Sequence, residues 1–171
     1  MADHDPNAHA DHLSPEETRE RVWSLAEDIR VCILTTWSGS EQHARPLTAH
    51  VARDEHALYF LVDESGHKNT EIEQYPAVSC SFVDKGSNDY VVIAGTAKLS
   101  NDREKIAAIW TNFAKAWWDD ENDPSIRLLT VTPTRGEVWD GPGGLAAKAK
   151  IAFSAATGGD IDMGETGKAR L

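Results

Sequence analysis

The feature that most constrains this chain is a series of seven short runs rich in β-branched and aromatic residues, most of them separated by hairpin-length turns. They occupy residues 30–37, 43–52, 57–63, 77–84, 89–100, 127–134 and 136–140. Runs of this length predict β-strands, and short turns between them predict antiparallel neighbours. Their order favours a mainly β fold over a parallel α/β sheet. We expect an antiparallel barrel of six or seven strands with peripheral helices.

Helix signals surround and interrupt these runs. Ser14, Pro15 and Glu17 form a capping box with a proline in the first turn, which predicts a helix that ends near Asp28. Further helices are predicted over residues 65–76, from Asn101 onward with Ile106, Ile109, Trp110 and Phe113 on one face, and over residues 145–157.

Length and charge limit what the chain can be. Its 171 residues suit one domain, which we place at residues 14–157, between a disordered tail at 1–13 and an acidic tail at 158–171. There is no membrane-spanning apolar run, and the polar N-terminus has no secretory signal, so we expect a cytoplasmic protein that does not bind membranes. The net charge of −11 argues against general affinity for nucleic acid.

Common catalytic and metal-binding motifs are absent from the sequence. It contains no nucleophile elbow, phosphate-binding P-loop, zinc-protease motif or dinucleotide fingerprint. The acidic residues 119–123 lack the glycine and the closing glutamate of a calcium loop, which indicates a solvated loop and no metal site. Cys32 and Cys80 lie within apolar runs and are predicted to be buried, reduced thiols.

Two segments carry candidate binding chemistry. Arg45, Pro46, Leu47 and Thr48 stand at the start of a strand, and because proline cannot donate to a ladder, this strand is predicted to be unpaired on one side. Its backbone groups could then face a ligand, beside the guanidinium of Arg45. Farther along, residues 66–68 (GHK) follow a strand and open a helix, where free N–H groups and a lysine suit a phosphate.

Taken together, the two segments resemble the pyridoxamine 5′-phosphate oxidase-like family of split barrels. The resemblance lies in residues 45–47 (RPL), 58–63 (LYFLVD), 66–68 (GHK) and 71–72 (EI), in that order and spacing. The closing stretch 138–144 (VWDGPGG), followed by an Ala/Lys-rich segment and an acidic tail, is similar to the general stress protein 26 branch of that family.

The resemblance implies a homodimeric split barrel with FMN in grooves at the subunit interface. It assigns ten residues to the cofactor: Arg45, Pro46, Leu47 and Thr48 at the polar edge of the isoalloxazine, Val62 and Asp63 beside the ring or ribityl chain, Gly66, His67 and Lys68 at the phosphate, and Trp139 near the flavin or the dimer seam. A fixed guanidinium near the polar edge would stabilise reduced flavin. The chain departs from the family pattern at Ser65, whose hydroxyl is displaced by one residue, which leaves open whether His67 replaces it.

Two functions follow from this resemblance. The first is a flavin-binding stress protein that sequesters or senses the cofactor, with no turnover or only weak redox activity, and the second is an FMN-dependent oxidoreductase that acts on a small substrate. Oxidation of pyridoxamine phosphate itself is not expected, because no C-terminal basic pair lies near a tryptophan. The fold also accepts FAD, deazaflavin or haem, so the cofactor does not follow from the fold alone. Trp110, Trp117 and Trp118 are predicted to pack in the core or at the dimer seam.

Overall fold

The structure is a computed structural model that describes residues 13–65, 68–141 and 165–171. The predicted helix at 145–157, the tail before Leu13 and two candidate phosphate residues, Gly66 and His67, lie outside the described residues. No helix among the described residues is both long enough and apolar enough to cross a membrane.

The first helix, α1, covers Pro15–Ile29 and begins as the sequence predicts. Glu17 N–H donates to Ser14 Oγ at 3.3 Å, and Ser14 N–H donates to Glu17 Oε2 at 2.9 Å, which confirms the capping box. Val22 and Ala26, one turn apart, are fully buried against the sheet. This amphipathic stripe packs α1 onto the barrel.

Eight antiparallel strands form one curled sheet in the described part of the chain. They are β1 (Val31–Trp37), β2 (Gln42–Thr48), β3 (His50–Ala52), β4 (Ala57–Asp63), β5 (Ala77–Asp84), β6 (Asp89–Ser100), β7 (Ile126–Asp140) and β8 (Glu165–Arg170). The strand order is β2-β1-β5-β6-β7-β4-β3, with β8 beside the end of β7. The mainly β, antiparallel barrel prediction is confirmed.

Three details of the strand prediction need correction. The run at 43–52 is two strands, because the chain changes partner at Ala49: β2 pairs with β1, whereas β3 pairs with β4. The runs at 127–134 and 136–140 are one strand, since β7 continues along β6 past an irregularity at Ala94 and Gly95. The sequence assigned no strand to the acidic segment 158–171, yet Glu165–Arg170 pairs with the second half of β7.

The change of partner at Ala49 joins the two ends of the sheet. Because β2 and β3 are consecutive in the chain but terminal at opposite ends of the strand order, the sheet curls into a barrel. The N–H of Ala49 donates to Arg30 O at 2.8 Å, which ties this junction to the start of β1. The barrel interior is filled by fully buried side chains such as Leu34, Phe60, Phe82 and Ile93.

Two shorter helices lie outside the barrel. Helix α2 covers Lys68–Gln74, as predicted for that segment, and α3 covers Arg103–Ile109. α3 ends earlier than predicted: Trp110 has extended backbone angles and Phe113 lies beyond the helix end. Ile106 and Ile109 are buried in a second apolar cluster with residues of β4 and β7. Thr111 and Asn112, which are poor helix formers, follow this turn.

Candidate functional site

A pocket of about 400 Å³ opens between the β2–β3 junction, the end of β4 and the segment that follows α3. Its lining is mostly apolar, with Pro46, Leu47, Leu61 and Val62 on the sheet side. Volume and composition fall in the range of small-molecule and cofactor sites.

The pocket brings together five of the residues predicted from the sequence. Pro46, Leu47 and Thr48 reach it from β2, and Val62 and Asp63 reach it from the end of β4. The two segments meet because the chain crosses from β2 into β3, and β3 pairs with β4 in register.

The edge position predicted for β2 is confirmed. In the part of the chain that the structure describes, β2 pairs with β1 only and is the last strand of the sheet order. Alternate backbone groups of an edge strand point away from the ladder. β2 therefore offers unpaired backbone donors and acceptors along the segment that carries Pro46.

Arg45 is not among the residues that line the pocket, and its side chain reaches Glu71 in α2. Its Nη2 donates to Glu71 Oε2 at 3.2 Å, and its side chain is 25% exposed. Arg45 Nη1 is buried and has no hydrogen-bond partner within the described chain. The guanidinium therefore lies beside α2 with one donor group unused.

Glu71 is a buried carboxylate that gathers three donors from β1 and β2. Besides Arg45, Thr36 Oγ1 donates to Oε2 at 2.5 Å, and His43 Nδ1 contacts Oε1 at 2.5 Å. Burial of the carboxyl raises its pKa, but the hydrogen bonds from Thr36, His43 and Arg45 outweigh burial and lower the pKa of Glu71 to about 2. The same contact raises the pKa of His43. This cluster fastens α2 to β1 and β2.

Lys68 begins α2, and the start of this helix is attached to the pocket end of β4. Asn69 Nδ2 donates to Glu64 O at 2.5 Å and to Asp63 O at 3.2 Å. The side-chain amide of Asn69, the residue after Lys68, therefore holds the end of β4. Asp63, the last residue of β4, lines the pocket.

Trp139 is not part of this pocket. It lies near the end of β7, where its register partners are Tyr90 on β6 and Thr166 on β8. Residues directly opposite each other in an antiparallel pair share a face, so Trp139 lies on the same face of the sheet as Tyr90.

Sequence reasoning missed the far wall of the pocket. Ile109, Phe113, Ala114, Trp117 and Trp118 line this side. Trp118 is anchored by a hydrogen bond from its Nε1 to Ser125 Oγ at 3.2 Å. The density of aromatic residues at 110–118 was visible in the sequence, but nothing there showed that they face the RPLT strand.

The polar end of the pocket was also missed. Arg30, His50 and Tyr59 line it, and Lys105 lies 4.9 Å above the ring of Tyr59. Burial, followed by the charges of Arg30 and Lys105, lowers the pKa of His50, which favours the neutral imidazole. Strand alternation could have placed His50, two residues after Thr48, beside the same site.

Known proteins resemble this chain in sequence and in fold. The family model of pyridoxamine 5′-phosphate oxidase-like proteins matches residues 17–162. This chain belongs to the pyridoxamine 5′-phosphate oxidase-like family. General stress protein 26 of Bacillus subtilis (strain 168) is 27% identical over 124 residues, which cover 71% of this chain and 87% of that protein. The resemblance to the general stress protein 26 branch is thereby confirmed.

Solved structures show the same split-barrel fold. A crystal structure assigned to general stress protein 26 from Jannaschia sp. CCS1 has a TM-score of 0.76 and 26% identity, covering 92% of this chain and all of that one. The general stress FMN/FAD binding protein from Xanthomonas citri has a TM-score of 0.65 and 23% identity, covering 73% of this chain and 89% of that one.

The Glu71 cluster predicts a pH-dependent stability difference. Because the folded-state pKa of Glu71 is about 2 and the ordinary value is 4.5, its contribution is complete above pH 4.5 and is lost as the pH falls toward 2. We expect Glu71→Gln to lower the free energy of unfolding by about 2 kcal/mol at pH 5.5, since it removes charge-assisted hydrogen bonds. Urea denaturation from pH 5.5 to 2 measures this, and the gap to wild type should narrow as the pH falls.

The matched control is Glu73→Gln, an exposed carboxylate on the same helix. His43 stays protonated throughout this range because its pKa is raised above 6.5. Equal stability of Glu71→Gln and Glu73→Gln at pH 5.5 would contradict the role given to this cluster.

Proposed function

We propose that this chain binds FMN in the pocket, as a flavin-binding stress protein. The observation that supports this most directly is that residues of β2 and residues from the end of β4, which are separate in sequence, line one mostly apolar pocket. An isoalloxazine needs a flat apolar slot with polar backbone groups along one edge. Pro46 and Leu47 offer the apolar surface, and the unpaired edge of β2 offers the backbone groups.

The described residues fit the remaining parts of FMN. Lys68 opens α2 next to the end of β4, and Arg45 contacts Glu71 in the same short helix. We therefore move Arg45 from the isoalloxazine edge to the phosphate, for which its buried, unused Nη1 is a suitable donor. Gly66, His67 and Lys68 keep the phosphate role that the family resemblance implies. When bound, FMN would supply one- and two-electron redox chemistry.

The choice of FMN over larger flavins rests on this phosphate end. The Xanthomonas citri neighbour is described as FMN/FAD binding, so either flavin suits the fold. Here Lys68 is the first residue of α2 and Arg45 contacts Glu71 in the same helix, and two cations would suit a terminal phosphate dianion.

We further propose that the site is completed by a second copy of the chain. Neighbouring strands of the sheet expose large apolar side chains on one face: Val31, Ile33, Trp37, Val83 and Tyr90, between 38% and 53% exposed. Such a continuous apolar face is unusual on a monomer and suits a two-fold interface. Val31 also lines the pocket, so the interface would continue into it.

Trp139 lies next to this exposed apolar face. Its register partner Tyr90 belongs to the apolar face, so Trp139 borders the same surface. In a two-fold dimer, the side chain of Trp139 would therefore contact the seam, which is the role implied by the family resemblance.

We expect Lys68→Ala to weaken FMN about ten- to a hundredfold while leaving riboflavin nearly unchanged, because only FMN carries the phosphate. Fluorescence titration of the flavin-free protein with both ligands measures this. Lys98→Ala, an exposed lysine on β6 outside the pocket, serves as the control and should bind both ligands normally. If Lys68→Ala weakened the binding of FMN and of riboflavin equally, the phosphate site would not be at the start of α2.

Binding without rapid turnover is the function we favour over an FMN-dependent oxidoreductase. His50 is the single imidazole among the described pocket residues, and no hydrogen bond from those parts of the chain orients it. General acid–base catalysis needs a positioned group, usually held by a partner.

We therefore expect the bound flavin to be reduced by dithionite but only slowly by NADH or NADPH. Anaerobic stopped-flow mixing, followed at the flavin absorbance band, measures the rate. Reduction faster than about 1 per second, the lower end of ordinary enzyme rates, would make the oxidoreductase the better assignment.

A further inference from the structure

The wall of the pocket opposite β2 exposes two aromatic rings. Phe113 is 58% and Trp117 is 61% exposed, and their ring centroids lie 4.8 Å apart in an edge-to-face arrangement. Both belong to the pocket lining, whereas the neighbouring Trp118 is anchored through Ser125. Exposed aromatic rings at a pocket mouth offer a surface for another flat apolar molecule.

Arg30 provides a cation at the same pocket. Its backbone has φ 62°, a left-handed value that side chains other than glycine and asparagine seldom adopt. Two hydrogen bonds hold it there: Arg30 N–H donates to Ala26 O at 3.0 Å, and Arg30 O accepts from Ala49 N–H at 2.8 Å. Arg30 is the C-cap residue of α1, so the end of this helix fixes its backbone at the pocket.

The guanidinium of Arg30 is uncommitted. Arg30 is an exposed residue of the pocket lining, and the described residues provide its guanidinium with no hydrogen bond or ion pair. The next cation, Lys105, is engaged by Glu55 at 2.7 and 2.8 Å. Burial and the charges of Arg30 and Lys105 lower the pKa of His50, so this imidazole adds no second positive charge beside Arg30 at neutral pH.

These surroundings determine which anion fits. One free guanidinium neutralises one negative charge, and its planar fork matches a carboxylate.

We propose that Arg30, Phe113 and Trp117 form a second subsite in this pocket, which binds a planar aromatic monocarboxylate beside the flavin. This inference rests on the proposed function in one respect, namely that the flavin is the neighbour of the acid. The flavin occupies the wall formed by Pro46 and Leu47, and the acid occupies the wall formed by Phe113 and Trp117. The ring of the acid lies against Phe113 and Trp117, and its carboxylate pairs with Arg30.

Isothermal titration calorimetry with 2-naphthoate tests the subsite, in both FMN-saturated and flavin-free protein. Arg30→Gln should weaken 2-naphthoate about tenfold or more and leave neutral 2-naphthalenemethanol within about twofold, because only the acid uses the charge. Arg30→Lys should restore part of the loss, since it keeps the charge without the fork. Trp117→Leu should weaken both compounds about three- to tenfold.

Arg135→Gln is the matched control, because Arg135 is an exposed arginine on β7 outside the pocket, and it should bind 2-naphthoate like wild type. Unchanged 2-naphthoate affinity in Arg30→Gln overturns the subsite, as does displacement of FMN by 2-naphthoate one for one. If 2-naphthyl phosphate binds more than tenfold more tightly than 2-naphthoate, the assignment of the ligand as a carboxylate is overturned. If FMN fails to bind while 2-naphthoate still requires Arg30, the subsite stands and the flavin proposal falls.

Discussion

The change of strand partner at Ala49 is the constraint on which the rest of this structure depends. Up to Thr48 the chain pairs with β1, and from His50 it pairs with β4, so one stretch of eleven residues closes the barrel. The hydrogen bond from Ala49 N–H to Arg30 O holds the junction against the end of α1. The pocket opens at this bend, where Thr48, Ala49 and His50 line it. Its lining is therefore a direct product of barrel closure.

A second interaction controls the helix next to the pocket. α2 is too short to be stable alone, since isolated helices of this length do not form in water. It is fixed by Glu71, which receives donors from both β1 and β2, and by Asn69, which bonds to the end of β4. The buried carboxylate thereby links the two segments that the family resemblance assigns to the cofactor. Arg45 takes part in this link, so its position is set by α2 and not by the pocket.

Local patterns predicted much of this fold, and nonlocal pairing accounts for the rest. Strands β4, β5 and β6 match the predicted runs because turn residues bound them on both sides. The break at Ala49 has no local signal, since alanine neither turns nor bends a strand. β8 is mostly polar, with Ala169 as its one buried apolar side chain among the described residues, and it becomes a strand by pairing with the second half of β7.

The candidate site was predicted in part for the same reason. Pro46, Leu47 and Thr48 were predicted from proline chemistry and a family pattern, and they do line a pocket. The aromatic wall was missed because α3 ends before Trp110, which turns Phe113 and Trp117 away from the helix face that the sequence suggested. Arg30 gave no signal, because its backbone position depends on hydrogen bonds to Ala26 in α1 and to Ala49 at the junction of β2 and β3.

The central claim is that FMN occupies this pocket in a two-fold dimer. The most direct measurement is size-exclusion chromatography with light scattering and absorbance detection on protein loaded with FMN, compared with Ile33→Asp, which places a charge on the exposed apolar face. The account predicts a mass about twice the 18.8 kDa of one chain, one FMN per chain in the same peak, and loss of both dimer and flavin in the variant. A monomer that retains FMN, or a dimer of both proteins that carries none, would contradict it.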